Sequence, residues 1–209
     1  MTPDTLTPDQ IAALFTQADG SYRFARWGRP IVPIVFGTDD ATLSVVKGAI
    51  EAVVGMSGHK MADHDPELGA NLMVFFFRDW DELLAVPDLD KLVEGLGTLV
   101  PRLKAQAATQ YRAFRFDPEG TIKAAFVFIR MDDAMAEIPA ADLALMQAVQ
   151  VILLWADGAL RVHSPFARAN GLTVLRPEFA SVIRACYDRV MPGVAADASH
   201  ALRVAARVG

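Results

Sequence analysis

The sequence predicts an α+β domain, or a mixed α/β sandwich, on three observations. Strand-like and helix-like segments intermix early in the chain, and helices cluster late. Residues 71–77 read NLMVFFF, apolar on both faces, as a central strand of a sheet must be. Residues 145–157 lie on a helix that is apolar almost all round, which predicts a buried central helix. With 209 residues and 53% hydrophobic content the chain is long enough to bury a full core. No linker, repeat or low-complexity stretch divides it. One domain over 1–209 is expected: an N-terminal helix over 8–18, a sheet-containing part over about 21–131, and central and C-terminal helices over 139–208.

The elements follow in order. Thr7-Pro8-Asp9-Gln10 has the N-cap threonine, N1 proline and N3 glutamine of a helix start, with Ile11, Leu14 and Phe15 on one face. Residues 22–27 alternate loosely as a strand. Residues 31–36 are β-branched, but Pro33 confines them to a sheet edge. A turn over 37–40 caps a helix bearing Leu43, Val46, Ile50, Val53 and Val54, which ends near Gly55. Residues 58–69 are polar and read as loop or short strand. A helical region begins at 79–84 and continues over 88–112, broken in two by Gly95, Gly97 and Pro101. Residues 122–131 form another strand. Pro139 opens the central helix, with Asp142 in its first turn, and the helix runs to about Ala156. Pro177 opens a helix that Pro192-Gly193 stops, and a last helix covers 195–208.

Several functions are excluded or disfavoured by composition. A net charge of −5 and a pI near 5.3 leave no basic field for nucleic acid. The lone Cys186 excludes an internal disulfide and a thiolate zinc cluster, and its place on an apolar helix face predicts a packed thiol. Apolar runs such as 73–77 and 151–156 are too short to span a bilayer. The N-terminus has no basic and apolar leader, so the chain as given is expected in the cytoplasm. It would be periplasmic or lipid-anchored if a signal upstream of this start were omitted. The leucine- and valine-rich stretch over 83–103 predicts apolar surface that a homodimer would cover.

Chemical motifs are sparse. His59 and His64 lie five apart in a loop with Asp63 and Asp65. That spacing does not put two imidazoles on one helix face, so two solvated loop histidines are the simpler account. His163 and His200 have no activating neighbour in sequence. Gly95-Leu96-Gly97 lacks the third glycine of a phosphate loop. Trp27 with Arg26 and Arg29 would form a small basic-aromatic patch, for which a snorkelling surface cluster is the simpler expectation. Gln147 and Gln150 stand out, two amides on an otherwise apolar helix. Each must be hydrogen-bonded or face a cleft.

The segments 31–36, 70–74 and 122–131, the 145–157 helix, Leu172-Thr173, Ala185-Cys186-Tyr187-Asp188 and Met191-Pro192-Gly193, in that order, resemble a bacterial family of uncharacterised lipoproteins and secreted proteins. Its fold is similar to the zincin metallopeptidases, and the resemblance covers roughly 22–208. It implies a zincin-like α+β fold, a mixed sheet packed against a buried central helix. It places Met146 and Gln150 where zincins hold their two zinc histidines, and Gln147 where they hold the general-base glutamate. Leu153 stands where a small residue turns the helix, and Ala156 where the third histidine would be. Asp157 and Tyr187-Asp188 match the family's later landmarks. Thioether is a poor zinc ligand and an amide is no base, so the resemblance implies a catalytically inactive domain without a cofactor. Met146, Gln147, Gln150, Asp157 and Tyr187 would line or support a degenerate cleft that binds a peptide, protein or small ligand. A second reading is a metal-dependent hydrolase using His59, His64 and the nearby acids.

Overall fold

The computed structural model describes residues 5–208. Residues 1–4 and 209, hence the outermost part of the N-terminus and of the single-domain expectation, lie outside the described residues. The fold is mixed α and β, built on a four-stranded sheet.

α1 (Pro8–Ala13) starts with the expected capping box: the Gln10 amide donates to the Thr7 hydroxyl at 3.2 Å, and the Thr7 amide donates to the Gln10 side chain at 2.8 Å. It ends well before residue 18, because the chain turns over 17–20 to bridge Thr16 with Tyr22. β1 is only Phe24–Ala25, shorter than the 22–27 strand expected. β2 (Pro33–Phe36) is an edge strand, as its proline requires. α2 (Asp40–Ser57) is capped by the Asp39 carboxylate, which accepts from the Thr42 amide at 2.7 Å, and closes on a left-handed Gly58, three residues beyond Gly55.

β3 (Leu72–Phe77) pairs in parallel with β2 on one side. A 3-10 turn over Trp80–Ala85 leads to α3 (Leu89–Leu92) and α4 (Leu96–Ala105). The two-helix break is as expected, but helix does not continue to residue 112. The chain instead forms β4 (Gln110–Phe116), which turns at 117–120 and pairs antiparallel with β5 (Ile122–Arg130). β5 is parallel to β3, so the sheet order is β2-β3-β5-β4 with β4 at the second edge.

After β5 come α5 (Asp133–Ala136) and the central helix α6 (Ala140–Val151). α6 ends five residues short of Ala156, for a clear reason. Its last carbonyls are taken by side chains from elsewhere. The Trp155 indole donates to Val149 at 2.8 Å, the Trp27 indole to Val151 at 2.8 Å, and the Tyr187 hydroxyl to Ile152 at 2.7 Å. The chain then runs extended, with the Leu154 amide on Ala25 and the Ala156 amide on Leu14. α7 (Ala159–Val162) precedes a hairpin absent from the sequence expectation, β6 (Phe166–Ala169) and β7 (Leu172–Leu175). Its two-residue turn, Asn170-Gly171, has φ of 51° and 81°, the left-handed pair such a hairpin needs. α8 (Pro177–Cys186) opens at Pro177 as expected but ends at Cys186, well before Pro192-Gly193, with Tyr187 as its C-cap. β8 (Val194–Ala195) pairs with β1, so the last helix, α9 (Ser199–Val208), starts later than residue 195.

The alternation of β3 and β5 feeds two cores. Val74, Phe76, Ala125, Val127 and Ile129 face α2, α6 and α8. Phe75, Phe77, Phe126 and Phe128 face the 3-10 turn, α3 and α4. Leu83, Leu89, Leu96, Leu99, Val100 and Leu103 are buried in the second core. The stretch over 83–103 therefore covers the chain's own sheet, and its apolar content no longer argues for a homodimer. Among the described residues no helix is long and apolar enough to cross a membrane.

Candidate functional site

The candidate site lies where α6 crosses the β4 edge of the sheet. Gln147 sits on the buried face of α6, 3% exposed. Its side-chain amide donates to Gln110 Oε1 at 3.1 Å, and its Oε1 accepts from Arg112 Nη2 at 3.1 Å. The same Nη2 donates to Gln110 Oε1 at 2.8 Å. Gln110 in turn reaches the Met135 sulfur at 3.8 Å. The expectation that this buried amide must be hydrogen-bonded holds. Met146 and Gln150, on the neighbouring face, are half-buried. So the three residues at the would-be zinc and base positions do not converge: two border solvent and the third is tied down by β4.

Arg112 is the unusual member of the cluster. Its Nε is buried with no hydrogen-bond partner, and no carboxylate pairs with it among the described residues. Desolvation pulls its pKa from the ordinary arginine value down to about 10, which still leaves a full cation at neutral pH. Two amide oxygens orient this cation but do not neutralise it.

The remaining sequence candidates are dispersed. Asp157 is exposed just beyond the extended segment that follows α6. Tyr187 is buried. Its hydroxyl donates to Ile152 and accepts from the Trp27 amide at 3.3 Å, and burial pushes its pKa upward. Cys186 is fully buried and its thiol is likewise pushed up, as a packed core thiol should be. His59 turns inward, its Nε2 2.8 Å from the Arg29 carbonyl and its ring against Tyr187, while His64 is exposed. Burial lowers the His59 pKa. Asp65, instead of joining the histidines, accepts from the Glu67 and Leu68 amides at 2.9 Å and from Asn71 at 3.0 Å, which organises its loop. Among the described residues no group of three or more histidine, cysteine or carboxylate side chains could hold a metal ion.

A crevice of about 480 Å³ opens at the carboxyl ends of the parallel strands, lined by Gly37, Asp39, Phe76, Met131, Glu137 and Pro139. Ligands of open α/β sheets commonly sit at such places. Here the charged lining residues are both acidic, and the Asp39 carboxylate is occupied as the α2 cap. The lining residues of the crevice include no cation to hold a phosphate.

Sequence reasoning named Gln147 and missed Gln110 and Arg112, which the 88–112 helical reading absorbed. A signal was present. Tyr111, Phe114 and Phe116 are β-formers, and Asp117-Pro118-Glu119-Gly120 marks a turn before the strand that follows. Comparison with known proteins gives no match to a family model, a curated protein or a solved structure.

Proposed function

We propose that this protein is a non-catalytic, zincin-like binding domain that accepts an extended peptide or protein segment along the free edge of β4. The observation that carries the reading is that edge itself. β4 spans seven residues, its main chain pairs only with β5 among the described residues, and no other described strand lies on its far side. A zincin cleft likewise runs between an edge strand and the helix of the zinc motif, here α6. Strand addition supplies affinity through main-chain hydrogen bonds, which need no catalytic group. The sealed states of Gln147, Tyr187 and Cys186 and the separate surroundings of His59 and His64 agree with a binding role.

Amide hydrogen exchange tests the reading. The full chain is titrated with blocked peptides of alternating valine and threonine, seven residues long. The main-chain amides of Gln110, Arg112 and Phe114 should slow on binding. Slowing confined to the crevice around Gly37 and Glu137 would overturn the assignment of the site. Stoichiometric zinc in the purified protein, lost on substitution of His59 or His64 by alanine, would overturn the non-catalytic reading.

A further inference from the structure

The register of the sheet decides which groups of β4 are free. The Arg130 amide donates to the Thr109 carbonyl at 2.8 Å. In an antiparallel ladder the bonded pairs alternate, so Tyr111, Ala113 and Arg115 turn their main-chain groups toward β5. Gln110, Arg112 and Phe114 turn theirs outward. Their side chains lie on the α6 face, where Arg112 and Gln110 meet Gln147 and Phe114 packs against the first core. A strand added here therefore runs directly beside the Arg112 side chain.

That side chain is incomplete as a hydrogen-bonding group. Nη2 is used by the two glutamine oxygens, Nε is sealed without a partner, and Nη1 has no partner among the described residues yet is not closed off. A guanidinium held in place by neutral oxygens and lacking a counter-charge is prepared for an anion that the chain itself does not supply. Charge along the edge agrees. From Ala107 to Phe116 the charged residues are Arg112 and Arg115, both basic, and Arg23 lies over the Phe116 ring at 4.8 Å. These charges also argue against a second copy as the added strand. A two-fold β4 pairing would bring one Arg112 opposite, or diagonal to, the other, which costs energy.

We infer that the β4 edge selects an acidic strand, with Arg112 taking the carboxylate of one aspartate or glutamate side chain of the bound peptide. The inference rests on the strand-addition reading and adds the class of segment recognised. Gln110 and Gln147 act as positioning residues that hold the guanidinium at the edge.

The test uses two blocked heptapeptides, acetyl-Thr-Val-Thr-Glu-Thr-Val-Thr-amide and its Gln counterpart, each titrated calorimetrically against the full chain at low salt. The Glu peptide should bind about 10- to 100-fold more tightly, the usual margin of a charge-assisted hydrogen bond in a partly dry site. Arg112→Met should remove that margin by weakening the Glu peptide alone. In the unaltered protein, the Arg112 side-chain N–H signals should shift with the Glu peptide and not with the Gln peptide, which keeps the test independent of the variant's folding. Equal binding of the two peptides, with the Gln110, Arg112 and Phe114 amides still protected, would overturn the selection of acidic strands and leave strand addition standing. Absence of that protection with either peptide would overturn both.

Discussion

His200 is the residue whose chemistry most exceeds its visible role. It lies on α9, 3% exposed, with Nδ1 2.7 Å from the Tyr22 hydroxyl and its ring 4.1 Å from that of Phe24. Nε2 is buried without a partner. Burial, with a contribution from the nearby Arg203 charge, lowers its pKa from 6.5 to about 4. Phe15, Tyr22 and Phe24 supply no charge to offset a proton there. The folded protein therefore holds His200 neutral, whereas the unfolded chain takes up a proton near pH 6.5. Between these values the unfolded state binds more protons, so stability falls as pH falls. From pH 7 to pH 5 the loss from this one group should be about 2 kcal/mol. Urea unfolding of the natural protein and of His200→Gln at both pH values measures it. The carboxylates are common to both proteins, so their effects cancel in the difference. If the two proteins lose equal stability between pH 7 and pH 5, the histidine is not the cause.

At the scale of elements, the end of α6 shows how distant side chains set a boundary. No glycine stops this helix. The indoles of Trp155 and Trp27 and the Tyr187 hydroxyl take its last carbonyls, and the chain leaves in extended form to bridge Arg26 at Leu153. Trp27→Phe keeps much of the apolar contact and removes the donor to Val151. A buried carbonyl left unmade, with some lost packing, should cost roughly 2–3 kcal/mol in urea unfolding. A cost within the noise of a surface substitution would mean that the helix end is held by something else. This boundary was not legible in the sequence, because 147–156 carries no glycine or proline and two of the three capping groups, Trp27 and Tyr187, lie far away in the chain. β3 and β5 were legible, since buried strands write their apolar character on both faces. The α2 and α1 starts were legible because their caps are local. The Asn170-Gly171 turn is also local, and it marks a hairpin for which the sequence expectation has no element. At the site, Gln147 could be singled out as a buried amide in need of partners. Arg112 could not, because the absence of a counter-charge is a property of three-dimensional surroundings.

For the whole molecule, the question is whether two cores make one cooperative unit. The first core holds Trp27 and Trp155, and the second holds Trp80, whose indole donates to the Ala108 carbonyl at 2.9 Å. Both are built on the same two central strands. Val74 and Phe76 point one way from β3 while Phe75 and Phe77 point the other, and β5 is divided in the same manner. Stripping the 3-10 turn, α3 and α4 from the sheet would expose Phe75, Phe77, Phe126 and Phe128 together. At about 1.5–3 kcal/mol for each buried side chain, that exposure is comparable to the net stability of a typical domain. The second core therefore should not open while the first stays folded. Fluorotryptophan labelling of the unaltered sequence gives one fluorine signal for each of its three tryptophans. Followed through urea, the Trp80 signal should change at the same midpoint as those of Trp27 and Trp155. An earlier Trp80 transition would mean that the shared strands hold together on one face alone, and that the second core is an independently melting layer.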